Sequence, residues 1–108
     1  MDEKKQDIIT PEKIEKYYNI TSSALKIAKN SKNNTSLSKE REDIVNMVEC
    51  YLKDSVFFRD KGDYINAFAA LNYAHGWLDC GARLGIFDVH DSVLFTVDDL
   101  PSEINEKK

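Results

Sequence analysis

From Ile14 to Gly85, apolar residues return every three or four positions, in three blocks parted by two polar interruptions. That spacing is helical, and it predicts three helices. The first block holds Ile14, Tyr17/Tyr18, Thr21, Ala24/Leu25 and Ala28. Thr10 is placed to cap it, and Pro11 fits the first helical position, where an amide hydrogen is not needed. The stripe is thin and contains a threonine, so this helix is expected to lean on the others. Asn30 to Ser38 is rich in short polar side chains that bond their own backbone, and it reads as a loop. Ser38 is expected to cap the second helix, with Glu40, Glu42 and Asp43 suiting its positive end.

The second block carries Ile44, Val48, Tyr51, Ser55 and Phe58 as a seam, widened by Val45, Met47, Leu52 and Val56 toward the first helix. Gly62 suits a left-handed helix end, and Asp63 suits the next cap. Two periodic blocks joined by this pair read as an antiparallel helical hairpin, from about Arg41 to Arg83. The third block has small residues at Ala67, Ala70, Ala74 and Gly81. A tight turn at Gly62-Asp63 sets Phe58 opposite Ala67, Ser55 opposite Ala70, Tyr51 opposite Ala74, Val48 opposite Trp77 and Ile44 opposite Gly81. Large residues then meet small ones, and the two backbones can approach closely. Glycines within the third block weaken a helix, so close approach of another helix or of the tail is expected to compensate for them. Past Gly85 come Ile86-Phe87, a turn-like stretch, and Val93 to Val97 with strand composition. One strand cannot stand alone, so this stretch packs on the helices as an extended tail, pairs across a dimer or joins a short helical turn, and the packed tail is the favoured expectation.

The fold class is therefore all-α: a three-helix bundle around an antiparallel hairpin, with an extended C-terminal tail. Residues 1–9 read as a charged tail, 10–97 as one domain and 98–108 as a frayed end. A chain of 108 residues supports one core. Its 42% hydrophobic and 31% charged residues are those of a globular domain. The net charge is −4, with the acids gathered toward the C-terminal end. That balance argues against phosphate-backbone binding, so no nucleic acid partner is expected. The first residues lack the apolar core of a signal peptide, and no apolar run reaches eighteen residues. The expected setting is cytoplasmic, away from membranes, with Cys50 and Cys80 reduced.

Candidate chemistry is sparse. His75, Asp79 and Arg83 lie four residues apart, in one line along the third helix. They form either a polar site in which Asp79 orients His75, or a ladder of surface ion pairs. Neither histidine has metal-ligand spacing with a cysteine, so no metal and no cofactor are implied. Val93, Phe95, Phe57 and Phe68 are the candidate interaction surface, to be covered by a protein partner or a second copy of the chain.

The stretch Phe57 to Ala67, with Tyr73-Ala74-His75-Gly76-Trp77-Leu78-Asp79-Cys80-Gly81, resembles an archaeal family known as domain of unknown function 357. The resemblance spans roughly residues 10–97. It implies a helical, intracellular archaeal protein and assigns no catalytic residue. The segment Lys61 to Ala67 also looks like a tetratricopeptide turn, but no second copy follows at that period. The Ala-rich third helix is similar to HEPN domains, yet their Arg-x4-His motif is absent: Tyr64 follows Arg59 and Asp88 follows Arg83 at that distance. The function expected is a non-enzymatic interaction or self-associating module. The alternative is a small-ligand or accessory enzyme domain using His75, Asp79 and Arg83.

Overall fold

A computed structural model describes residues 8–90 and residue 94. Within them lie three helices: α1 (Pro11–Lys29), α2 (Ser38–Asp60) and α3 (Tyr64–Arg83). The expected all-α bundle is the structure found, and no strand occurs among the described residues. Helix α1 starts as expected. The Lys13 amide donates to Thr10 Oγ1 at 3.1 Å, and Pro11 holds the first position.

The start of α2 differs from expectation. Ser38 is the first helical residue, and Leu37 occupies the cap without a side-chain bond. The reason lies one step upstream. Asn33 Oδ1 accepts from the amide and hydroxyl of Thr35, and the Leu37 amide donates to Thr35 Oγ1. The Asn33 side-chain amide in turn donates to the Leu37 carbonyl. The loop thus organises its own polar groups and leaves Ser38 to continue into the helix.

The hairpin turn is built as its residues dictate. The Gly62 amide donates to the Arg59 carbonyl and the Asp63 amide to that of Phe58, with Gly62 at φ +78°. This is a Schellman end, which needs a left-handed residue at that point. Asp63 then caps α3 through the Asn66 amide at 3.2 Å. Ala67, Ala70, Ala74 and Gly81 are buried, as are Ile44, Val48 and Ser55 of α2. Tyr51 and Tyr73 stack with ring centroids 5.5 Å apart. This contact is one residue from the expected Tyr51/Ala74 level. Trp77, by contrast, is 38% exposed, and Leu78 is the fully buried residue at that level of α3. Met47 is also exposed. Helical spacing puts it with Tyr51, on the Tyr73 side of the hairpin rather than toward α1.

Helix α1 leans chiefly on α3, through Ile14, Thr21, Ala24, Leu25 and Ala28. Tyr17 meets Phe68 edge-on at 5.4 Å. Helix α3 ends in a second Schellman arrangement: Gly85 donates to the Ala82 carbonyl and Ile86 to that of Gly81, with Gly85 at φ +82°. The chain then turns back on the bundle. Ile86, Phe87 and Val89 are buried against it; the stretch Val93 to Val97, expected to pack as an extended tail, lies outside the described residues apart from Leu94. The Phe87 ring takes the place of a side chain at Gly81. A Cβ built there would lie 2.5 Å from Phe87 Cε2.

One side chain ties these parts together. Arg41, in the first turns of α2, donates from Nη1 to the Ile86 carbonyl at 2.8 Å. Its Nη2 donates to the carbonyls of Ser31, Ala28 and Lys29 at 2.7, 3.2 and 3.3 Å. Its guanidinium also lies over the Phe87 ring, 5.1 Å from the centroid. The helix-end carbonyls of α1 are thus capped by a cation, where the dipole favours one. Beside this clamp, the Asn34 amide donates to the Gly85 carbonyl and the Asp88 amide to that of Lys32, each at 2.9 Å.

Arg41→Lys keeps the charge but loses the fork, since an ammonium cannot reach four carbonyls on two segments. Urea unfolding should show a loss of about 2–3 kcal/mol, and a midpoint equal to wild type would refute the clamp. Gly81→Ala should cost about 1–3 kcal/mol because the buried Phe87 ring has to move. Gly76→Ala, where a Cβ meets nothing within 4 Å, should instead stabilise by up to about 1 kcal/mol.

Candidate functional site

Asp63 starts α3 in a fixed rotational setting, and that setting decides where His75, Asp79 and Arg83 point. His75 faces α1. Its Nδ1 lies 3.3 Å from Thr21 Oγ1, and its Nε2 lies 2.6 Å from the Leu94 carbonyl. A carbonyl can only accept, so Nε2 carries the hydrogen. In the neutral ring Nδ1 is then the acceptor, and the buried Thr21 hydroxyl donates to it. Asp79 Oδ1 is 3.8 Å from Nε2, too long for a hydrogen bond but close enough for an ion pair when the ring is charged.

His75 and Asp79 open onto a cleft of about 360 Å³ between α1 and α3. Tyr17, Ile20 and Leu71 supply its apolar wall, and Asn72 adds a side-chain amide. Gly76 also lines it. Arg83, two turns beyond His75, instead lines a separate depression with Asn34, Gly85 and Phe87. Two residues of the expected line thus share the cleft, and Arg83 lines the neighbouring depression. Thr21 and Leu94 are partners that sequence reasoning did not assign. A polar residue in the apolar stripe of α1 was the visible signal for Thr21, while a backbone carbonyl has none.

The other candidates fall as follows. Phe57 is 55% exposed, with the Lys61 ammonium over its ring at 4.9 Å. Phe68 is half-buried, between the Tyr17 ring and the Lys13 ammonium. Val93 and Phe95 lie outside the described residues. Cys50 and Cys80 are free and exposed. Among the described residues, no group of three or more His, Cys, Asp or Glu side chains is placed to hold a metal ion. No helix among them is long and apolar enough to cross a membrane.

The family model described as "Protein of unknown function (DUF357)" matches residues 16–87. The chain belongs to this family. No curated protein and no solved structure matches it. The DUF357 segment contains Tyr17, Thr21, His75, Gly76 and Asp79, and it closes on Phe87, the ring seated at Gly81. It ends before Leu94, so the carbonyl that His75 engages lies beyond the matched segment.

Thr21→Val removes the hydroxyl at nearly constant shape and leaves Nδ1 unsatisfied. It should cost about 1 kcal/mol in chemical unfolding. Long-range nitrogen–proton correlation spectra of His75 in the neutral state should show hydrogen on Nε2. Hydrogen on Nδ1 would overturn this assignment.

Proposed function

We propose that this chain is a non-enzymatic interaction module that pairs with a second copy of itself through the outer face of the α2–α3 hairpin. One observation carries the reading: the face turned away from α1 carries a line of apolar side chains open to solvent, with Asp54 the charged residue among them. Tyr73 is 63% exposed, and Trp77 follows one turn later on the same side. Leu84 continues that line, while Met47 and the half-buried Tyr51 add the α2 side. Exposed apolar side chains gathered on one face mark an interaction surface, whereas scattered ones do not.

Charge supports a second copy as the occupant. Glu40 and Asp43 sit at the open end of this face, and Lys61 sits at the turn end. An antiparallel two-fold pairing sets Asp43 of one copy against Lys61 of the other. Its centre then falls level with Leu52, beside the Tyr51/Tyr73 stack. The aromatic pairs of both copies meet there. Between Asp43 and Lys61 the face is roughly 27 Å long, and two helices span about 20 Å. That is smaller than the about 800 Å² per partner of a standard interface, so the association is weak and concentration-dependent. The acid–base alternative has less support, because both ring nitrogens of His75 already have partners within the fold. The exposed free thiols fit a cytoplasmic setting, and the family resemblance favours an archaeal one.

Light scattering across a concentration series should show mass rising from monomer toward dimer. Tyr73→Glu combined with Trp77→Glu should hold it at monomer while the helical circular dichroism stays unchanged. The pairing places the two copies of Cys50 roughly 6 Å apart along the axis and those of Cys80 roughly 20 Å apart. A short bis-maleimide should therefore link the Cys80→Ser variant and not the Cys50→Ser variant. A strictly monomeric mass at all concentrations would sink the reading.

A further inference from the structure

The cleft between α1 and α3 lies on the opposite side of α3 from the pairing face, since His75 and Trp77 are about half a turn apart. The C-terminal part of the chain reaches it at Leu94. The Leu94 carbonyl accepts from His75 Nε2 at 2.6 Å, and the half-buried Leu94 side chain packs against the helical core. Backbone and side chain together fix this residue at the cleft wall. Val89, five residues earlier, is buried and lines the same depression as Ala82. Between these two anchors the chain moves from the level of Ala82 to that of His75, about two turns along α3.

The anchor at Leu94 constrains the residue that follows, Phe95, which lies outside the described residues. A carbonyl oxygen stands about 2.3 Å from the next backbone nitrogen across a planar peptide bond. The Phe95 nitrogen therefore lies within about 5 Å of His75 Nε2, and its ring is the first side chain past the anchor. The cleft beside it has about 360 Å³ of space, walled by Tyr17, Ile20 and Leu71. Burying a phenyl ring is among the largest gains one side chain can make, and a neighbouring aromatic such as Tyr17 adds to it. Charge agrees with this occupant. Asp98 and Asp99 follow Phe95 by three and four residues, a span of at most about 14 Å. At the Tyr17 end of the cleft, the Lys16 ammonium lies 5.8 Å from the Tyr17 ring and the Lys13 ammonium 5.5 Å from that of Phe68. Neither lysine has an ion-pair partner among the described residues.

We infer that the α1–α3 cleft is a docking groove for the chain's own C-terminal segment, with the Phe95 ring seated against Tyr17, Ile20 and Leu71. The test uses the full-length chain with labelled isoleucine and leucine methyl groups, at a concentration where its mass is that of a monomer. Nuclear Overhauser contacts should join the Phe95 ring protons to the methyls of Ile20 and Leu71. Phe95→Ala should shift the amide resonances of residues 17–21 and 71–76 and lower the melting temperature by about 5–10 °C. Phe57→Ala removes a ring that is 55% exposed on α2, and it should leave those resonances in place and the melting temperature within about 3 °C of wild type. Should Phe95→Ala misfold, the ring-to-methyl contacts of the unaltered chain decide alone. Absence of those contacts, or shifts from Phe95→Ala confined to residues beyond 90, would overturn the docking. So would contacts that arise only between differently labelled copies in a mixed sample, because the segment would then sit in a second molecule.

Discussion

The guanidinium of Arg41 is the point through which the separate parts of this fold are held together. Three of its carbonyl partners belong to the end of α1 and the loop after it, and the fourth belongs to the segment after α3. Helix ends leave carbonyls without partners, and the end of α1 is partly covered by the rest of the chain. A planar cation with five donors can serve several such groups at once, which no neutral side chain does. Because Arg41 stands on α2, the hairpin becomes the frame to which both other segments are fastened. Phe87 completes the arrangement from below the guanidinium, filling the notch at Gly81.

Much of this architecture can be read from residue order because its causes are local. Thr10-Pro11 and Gly62-Asp63 specify helix ends through their own backbone preferences, and the structure uses both as expected. The small residues of α3 predicted its buried side because size alone decides how closely two helices pack. Trp77 was misplaced for a related reason. Neighbouring residues on a helix differ by about 100° in direction, so a register good to one residue does not separate Trp77 from Leu78.

The loop cap and the Arg41 clamp were not legible in the same way. Ser38 is a good cap by type, but Asn33 and Thr35 had already committed the preceding backbone. Arg41 recognises carbonyls, which every residue carries, so nothing in the letters at positions 28, 29, 31 and 86 announces the contact. His75 falls between these cases. Its spacing from Asp79 was visible, and the two do share a cleft. Its partners at Thr21 and Leu94 come from distant segments that only the fold brings together.

The return of the chain after Gly85 bears on how the molecule opens. Backbone bonds from Asn34 to Gly85 and from Asp88 to Lys32 join the loop after α1 to the segment after α3. Arg41 spans the same junction. Release of residues 86–89 would therefore uncover Phe87 and free the end of α1 in one event, while the hairpin turn at Gly62 kept its own bonds. Sub-global opening of this kind follows cooperative units rather than sequence neighbours. Here such a unit pairs the first helix with the final buried segment, so amide protons near Ala28 and near Phe87 would exchange together although nearly sixty residues of chain separate them.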